Sequence, residues 1–119
     1  MLLIRDSQMA ILAQPVYRAA ALRIAQAAIE HWPQKLGKAC AEELVPRVLA
    51  SMDEAREWGM GSEEEFMRFF NLQLALGERF HLAPEGEWAR RILRNERLTF
   101  ATRLDQLTDG AAQRLRARA

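Results

Sequence analysis

The segment Glu63 to Gly77 constrains the fold more than any other part of this chain. Placed at about 100° per residue, Phe66, Met67, Phe69, Phe70, Leu72, Leu74 and Leu76 cover more than half of a helix's circumference. Glu64, Arg68, Asn71 and Glu78 share the remaining wedge. A helix apolar over so wide an arc needs other helices around it, so the expected fold is an all-α bundle of about five helices with residues 63–77 at its centre. The start of this helix is set by Ser62-Glu63-Glu64-Glu65, which matches a capping box. Ser62 accepts from an amide one turn on, Glu65 reaches back, and acids in the first turn suit the helix dipole. Gly59 is placed to close the preceding helix in the left-handed conformation. Gln73 falls within the apolar arc. An unpaired buried amide costs ~1–3 kcal/mol, so a satisfied structural glutamine is expected.

The other segments are helical too. Ser7 is a candidate cap for Gln8 to Ala13, and Pro15 marks the start of a second segment or a kink. From Val16 to His31, Tyr17, Ala20, Ala21, Ile24 and Ala28 form one stripe, flanked by Leu22, Ala25 and Ile29. Trp32-Pro33 ends it, because a residue before proline avoids the helical region. A polar connection, Gln34 to Lys38, is expected to precede a short helical turn from Ala39 to Val45. Pro46 then opens a helix to Trp58, with Val48, Leu49, Met52 and Ala55 inward and charged residues outward. Phe80 to Gly86 reads as a loop. Trp88 to Arg94 reads as a short helix placing Trp88 and Ile92 inward, with Leu93 as a further candidate. Thr99 caps a last helix with Phe100, Leu104 and Leu107 as its stripe, and residues 111–119 form a basic, frayed tail. Strand signals are missing: β-branched residues are scarce and Ala, Leu, Glu, Arg and Gln abundant. The 119 residues are expected to form one domain.

Net charge is +1, so no global field favours nucleic acid or a membrane. The charge is unevenly spread, however. Residues 41–65 hold eight acids against Arg47 and Arg56, and residues 88–119 hold eight arginines against Glu96, Asp105 and Asp109. The first residues lack the apolar run of a signal peptide, and no stretch reaches membrane-spanning length. A cytoplasmic protein is expected.

Catalytic equipment is not apparent, and no catalytic, cofactor or metal residue is assigned. His31 and His81 have no partner at metal-ligand spacing. Cys40 is the only cysteine and reads as a small buried hydrophobe. Glu63, Glu64 and Glu65 point about 100° apart on a helix and cannot converge on one substrate. Residues 46–58 and 63–77 have the order of a helix-turn-helix, but the second opens with three glutamates and is mostly Phe and Leu, the wrong face for a major groove.

The run Ala55-Arg56-Glu57-Trp58-Gly59-Met60-Gly61-Ser62-Glu63-Glu64-Glu65, continuing as Phe69-Phe70-Asn71-Leu72-Gln73-Leu74-Ala75-Leu76-Gly77, carries a resemblance. So do Phe80, Trp88-Ala89-Arg90-Arg91-Ile92-Leu93 and Ala101-Thr102-Arg103-Leu104-Asp105-Gln106-Leu107, with Ser7-Gln8-Met9 and His31-Trp32-Pro33 upstream. Together, over residues 7–107, they resemble small helical proteins encoded beside effectors, spike-tip proteins and adaptor chaperones of bacterial type VI secretion systems. Pro15, Pro46 and Gln73 depart from that pattern. The resemblance implies a non-enzymatic accessory factor, a co-chaperone or adaptor that helps an effector or its chaperone reach the secretion spike. An immunity protein against a toxic effector is the alternative, and a DNA-binding regulator a weaker one.

A docking partner would be met first by side chains the bundle does not need. Trp88, Arg90, Arg94 and Arg97 combine an aromatic anchor with charge, a composition favoured at binding hot spots. Charge reversal at Arg90 and Arg94 is expected to weaken docking and leave thermal stability nearly unchanged. Homodimerisation is a second way to cover the broad apolar face of residues 63–77.

Overall fold

In the computed structural model, which describes residues 14–118, all regular structure among those residues is helical. Six α-helices and one 3-10 turn follow one another: α1 (Pro15–His31), α2 (Pro33–Leu36), α3 (Ala41–Trp58), α4 (Glu63–Leu76), the turn Pro84–Gly86, α5 (Glu87–Leu93) and α6 (Phe100–Arg118). The expected cap at Ser7 and helix at Gln8 to Ala13 lie outside the described residues. None of the helices described is long and apolar enough to cross a membrane. The chain divides into two units, Met1–Met67 and Arg68–Ala119.

The first unit is organised by α1 against α3. The alanine stripe allows the approach: Ala20, Ala21, Ile24, Ala25 and Ala28 are buried on α1, facing Val48, Leu49, Met52 and Ala55 of α3. Pro15 sits in the first turn of α1, where its missing amide is no loss. The polar connection expected at 34–38 is partly helical, because Pro33 opens α2 and Leu36 packs inward.

Three expectations are corrected here. Residues 39–58 do not form two helices, since α3 is continuous and contains Pro46. Proline removes only the bond to the Glu42 carbonyl, and buried Leu44, Val48 and Leu49 hold the helix on both sides. Cys40 is exposed rather than buried, because it is the N-cap of α3, with extended backbone outside the helix proper. Asp53 is fully buried, although charged residues of α3 were expected outside. It stands one turn after Leu49, on the edge of the buried stripe.

At the start of α4 the capping box forms as read. The Ser62 hydroxyl accepts from the Glu65 amide at 3.1 Å, and the Glu65 carboxylate accepts from the Ser62 and Gly61 amides at 3.0 and 2.9 Å. Gly59 closes α3 with φ 105°, a left-handed conformation that favours glycine. Arg23 on α1 grips Glu63 with two donors, Nε to Oε2 at 3.0 Å and Nη2 to Oε1 at 2.5 Å. Burial raises the pKa of Glu65, but the two amides and the Ser62 hydroxyl outweigh it and hold the carboxyl below its usual range. Glu63 is lowered chiefly by its hydrogen bond to Arg23. Depressed carboxyl pKa values contribute stability that is present above the unfolded-state pKa and lost as pH falls through the folded-state values. Thermal melts of the wild type should therefore lose stability on acidification, and Glu65→Gln should reduce that loss. At neutral pH Ser62→Ala should cost ~1 kcal/mol in urea denaturation.

In the second unit α4 continues with Phe69, Phe70, Leu72 and Leu74 buried. Gln73 is buried too, and its amide nitrogen donates to the Glu78 carbonyl at 3.1 Å, the satisfied structural role expected of it. Arg68 of α4 donates to Asp105 of α6 at 2.7 Å. The Thr99 hydroxyl accepts from the Thr102 amide at 3.2 Å and opens α6, whose Leu104 and Leu107 are fully buried. α6 extends through residues 111–118, part of the tail expected to fray. Trp88 of α5 packs against it. Its indole lies so close to Gly110 that a Cβ there would fall within 2.4 Å of the ring. One turn on, the Arg114 guanidinium stacks 3.8 Å over the same ring and donates to the Gly110 carbonyl at 3.1 Å.

Candidate functional site

The candidate surface is built on α5 and the loop before it, all within the second unit. After α4 the chain turns tightly. The Phe80 amide donates to the Gly77 carbonyl at 3.2 Å, and the Leu82 and Ala83 amides both donate to the Arg79 carbonyl, at 2.9 and 3.1 Å. Phe80 and His81 are buried, with rings 5.2 Å apart, and the Phe69 ring lies 6.0 and 6.1 Å from them. This aromatic group fixes the loop. Gly86 then lets the chain pass close beneath Phe80 and start α5.

Held this way, the loop turns two carbonyls toward α5. Arg90 donates from one terminal nitrogen to the His81 carbonyl at 2.7 Å and the Ala83 carbonyl at 3.0 Å. At the other end of α5, buried Arg103 donates to the Leu93 carbonyl at 3.2 Å and stacks 4.3 Å over the Phe100 ring. Two arginines thus satisfy carbonyls that helix ends and turns leave open, one in the loop before α5 and one at the last residue of α5.

The four residues expected to meet a partner therefore separate into two pairs. Trp88 is half-buried against Gly110 and Arg114, and Arg90 is half-buried on the loop carbonyls. Arg94 and Arg97 are exposed. Arg94 caps α5, its amide donating to the Arg90 carbonyl at 2.9 Å, and the Arg97 amide donates to the Asn95 side chain at 3.1 Å. Arg90, whose two hydrogen bonds fasten the loop, is therefore not a side chain the fold can spare. Arg90→Glu should lower stability by ~1–3 kcal/mol because both carbonyls lose a charged donor. The double reversal Arg94→Glu/Arg97→Glu should shift stability by less than ~0.5 kcal/mol. Parallel urea titrations of the two variants check this.

Beside Arg94 lies a groove of about 480 Å³ lined by Glu87, Arg90, Arg91, Arg94 and Asn95. Arg91, which the sequence reading left out, belongs to it and stands 3.6 Å from Glu87. The helical spacing could have found it. Arg91 and Arg94 are three apart and Arg90 and Arg94 four apart, so all three are neighbours across one turn. A second cleft, of about 350 Å³, opens between Leu76, Phe80, Trp88 and Arg114. No three His, Cys, Asp or Glu side chains among the described residues gather to hold a cation. The surface can do what guanidinium groups do, which is to bind carboxylates or other oxyanions through paired N–H donors. Comparison of the chain with family models, with curated proteins and with solved structures gives no match.

Proposed function

We propose that this chain is a non-enzymatic, protein-binding accessory factor of bacterial type VI secretion, a co-chaperone or adaptor that helps load an effector. The observation that carries the protein-binding part is the arginine surface at the end of α5. Arg91 on α5, Arg94 at its C-cap and Arg97 in the turn that follows are exposed, and α5 itself is tied to the 81–83 loop through Arg90 and to α6 through Arg103. A rigid base lowers the ordering cost that a partner must overcome, and arginine is enriched where proteins meet. The secretion context rests on the sequence run from Ala55 to Gly77 and its continuation to Leu107.

The test is co-purification of the tagged full chain with the adaptor chaperone and the effector encoded beside it. A stable complex with either is the expected result. Its absence with both, from cells that express them, removes the accessory role. Deleting the gene separates the alternative: loss of effector delivery fits an adaptor, whereas loss of self-protection fits an immunity protein.

A further inference from the structure

We infer that the α5 groove recognises an acidic helix of a partner protein, one that presents carboxylates a single turn apart. This deepens the accessory-factor reading and rests on it for the existence of a protein partner. Three features of the groove select that chemistry.

The first is spacing. Arg90 and Arg94 are one helical turn apart, and Arg91 and Arg94 nearly so, which puts their Cβ atoms at about 5–6 Å. Carboxylates four residues apart on a partner helix have the same separation. Two helices laid side by side thus match charge for charge without either backbone changing.

The second is preorganisation. One terminal nitrogen of Arg90 is committed to the His81 and Ala83 carbonyls. A guanidinium has five N–H donors, so others remain to meet a ligand while the group itself is held in place. Arg94 is exposed as the C-cap residue directly after α5, and Asn95 adds an amide to the groove wall.

The third is Glu87. Its carboxylate lines the same groove, 3.6 Å from Arg91. A dianionic phosphate seated there would be repelled by it. A helix whose acids are interrupted by a basic residue would place that residue against Glu87 and its carboxylates against the arginines. Glu96, close in sequence, interrupts the basic run in the same way, which disfavours a continuous polyanion such as nucleic acid.

Exposed ion pairs are individually weak, so binding of one isolated helix is expected to be weak and salt-sensitive, and the readout must tolerate that. The probe is an acetylated, amidated Ala-rich peptide with glutamates at i and i+4 and a single lysine, titrated into the full-length protein by amide NMR. The control peptide has the same composition with the glutamates scrambled off that spacing. Shifts confined to the amides of residues 87–98 are expected, with the patterned peptide binding at least ~5-fold more tightly than the scrambled one, and the shifts vanishing as salt shortens the screening length. Arg94→Glu should abolish them, and a lysine-for-glutamate peptide should bind that variant in their place.

Equal binding of both peptides, shifts elsewhere on the protein, or tighter binding of inorganic phosphate or a DNA duplex at this groove each overturns the inference. A neighbouring secretion protein that co-purifies while the peptide leaves residues 87–98 unmoved overturns it and leaves the accessory role standing. Patterned binding with no secretion partner supports the groove chemistry and removes the accessory role.

Discussion

Replacing Phe69 by alanine is expected to destabilise the protein by ~3–5 kcal/mol, the range of a large aromatic truncated in a packed core. The side chain is fully buried, and its ring stands 6.0 Å from that of Phe80 and 6.1 Å from that of His81. Removing it takes away apolar burial and leaves a cavity that a helix on one side and a hydrogen-bonded loop on the other can only partly close. The consequence reaches the candidate site. Once the Phe80–His81 loop loosens, the His81 and Ala83 carbonyls no longer sit where Arg90 can bind both. Urea denaturation measures the loss, and hydrogen exchange at residues 80–86 should accelerate more than exchange in α1. Phe69→Leu, which keeps most of the volume, should cost less than half as much. A loss under ~1 kcal/mol for the alanine variant would mean that the aromatic group does not hold the loop.

Much of this architecture was legible because its signals are local. The Ser62 capping box, Gly59 as a left-handed terminator and the Val48–Ala55 stripe depend on residues within a few turns of one another. The structure places each where the sequence did. Pro46 was misread because proline is a breaker on average, whereas a helix buried on both sides of it tolerates one lost bond. Cys40 was misread because its alanine neighbours suggested burial, while its actual position, a cap with extended backbone, is set by where α3 begins.

The candidate site was half legible for a different reason. Composition identified Arg90, Arg94 and Arg97 together, but an arginine facing solvent and one facing a carbonyl look alike in a sequence. What separates Arg90 is the direction of two backbone carbonyls nine and seven residues upstream. Nothing in local periodicity encodes that direction, because it is set by the Phe80–His81 rings packing on α4. The same holds for residues 111–118. Their helix was expected to fray for want of apolar content, and what packs against it is an indole from α5 lying on Gly110 and under Arg114.

Gly86→Ala is expected to cost about as much as the Phe69 truncation, for a reason that has nothing to do with backbone conformation. Gly86 has φ −96° and ψ 11°, values open to any residue. On conformational grounds alone an alanine there would stabilise by ~0.4–1 kcal/mol, by restricting the unfolded chain. Space decides otherwise. A Cβ at this position would lie 1.7 Å from the Phe80 carbonyl oxygen, 2.9 Å from its carbon and 3.3 Å from the His81 Cα. All three are backbone atoms, so no rotation of a side chain relieves the contact, and the loop itself must move. That movement carries the His81 and Ala83 carbonyls away from Arg90 and disturbs the ring packing with Phe69. The expected loss is ~3–4 kcal/mol, at the upper end of ordinary single substitutions. Gly61→Ala is the matched control. Nothing lies within 4 Å of a Cβ at Gly61, and its amide hydrogen bond to Glu65 survives the change. That variant should melt at or slightly above the wild-type temperature. If Gly86→Ala melts alongside Gly61→Ala, the close passage of the chain beneath Phe80 is not what fixes the loop, and the rigidity ascribed to the arginine surface loses its foundation.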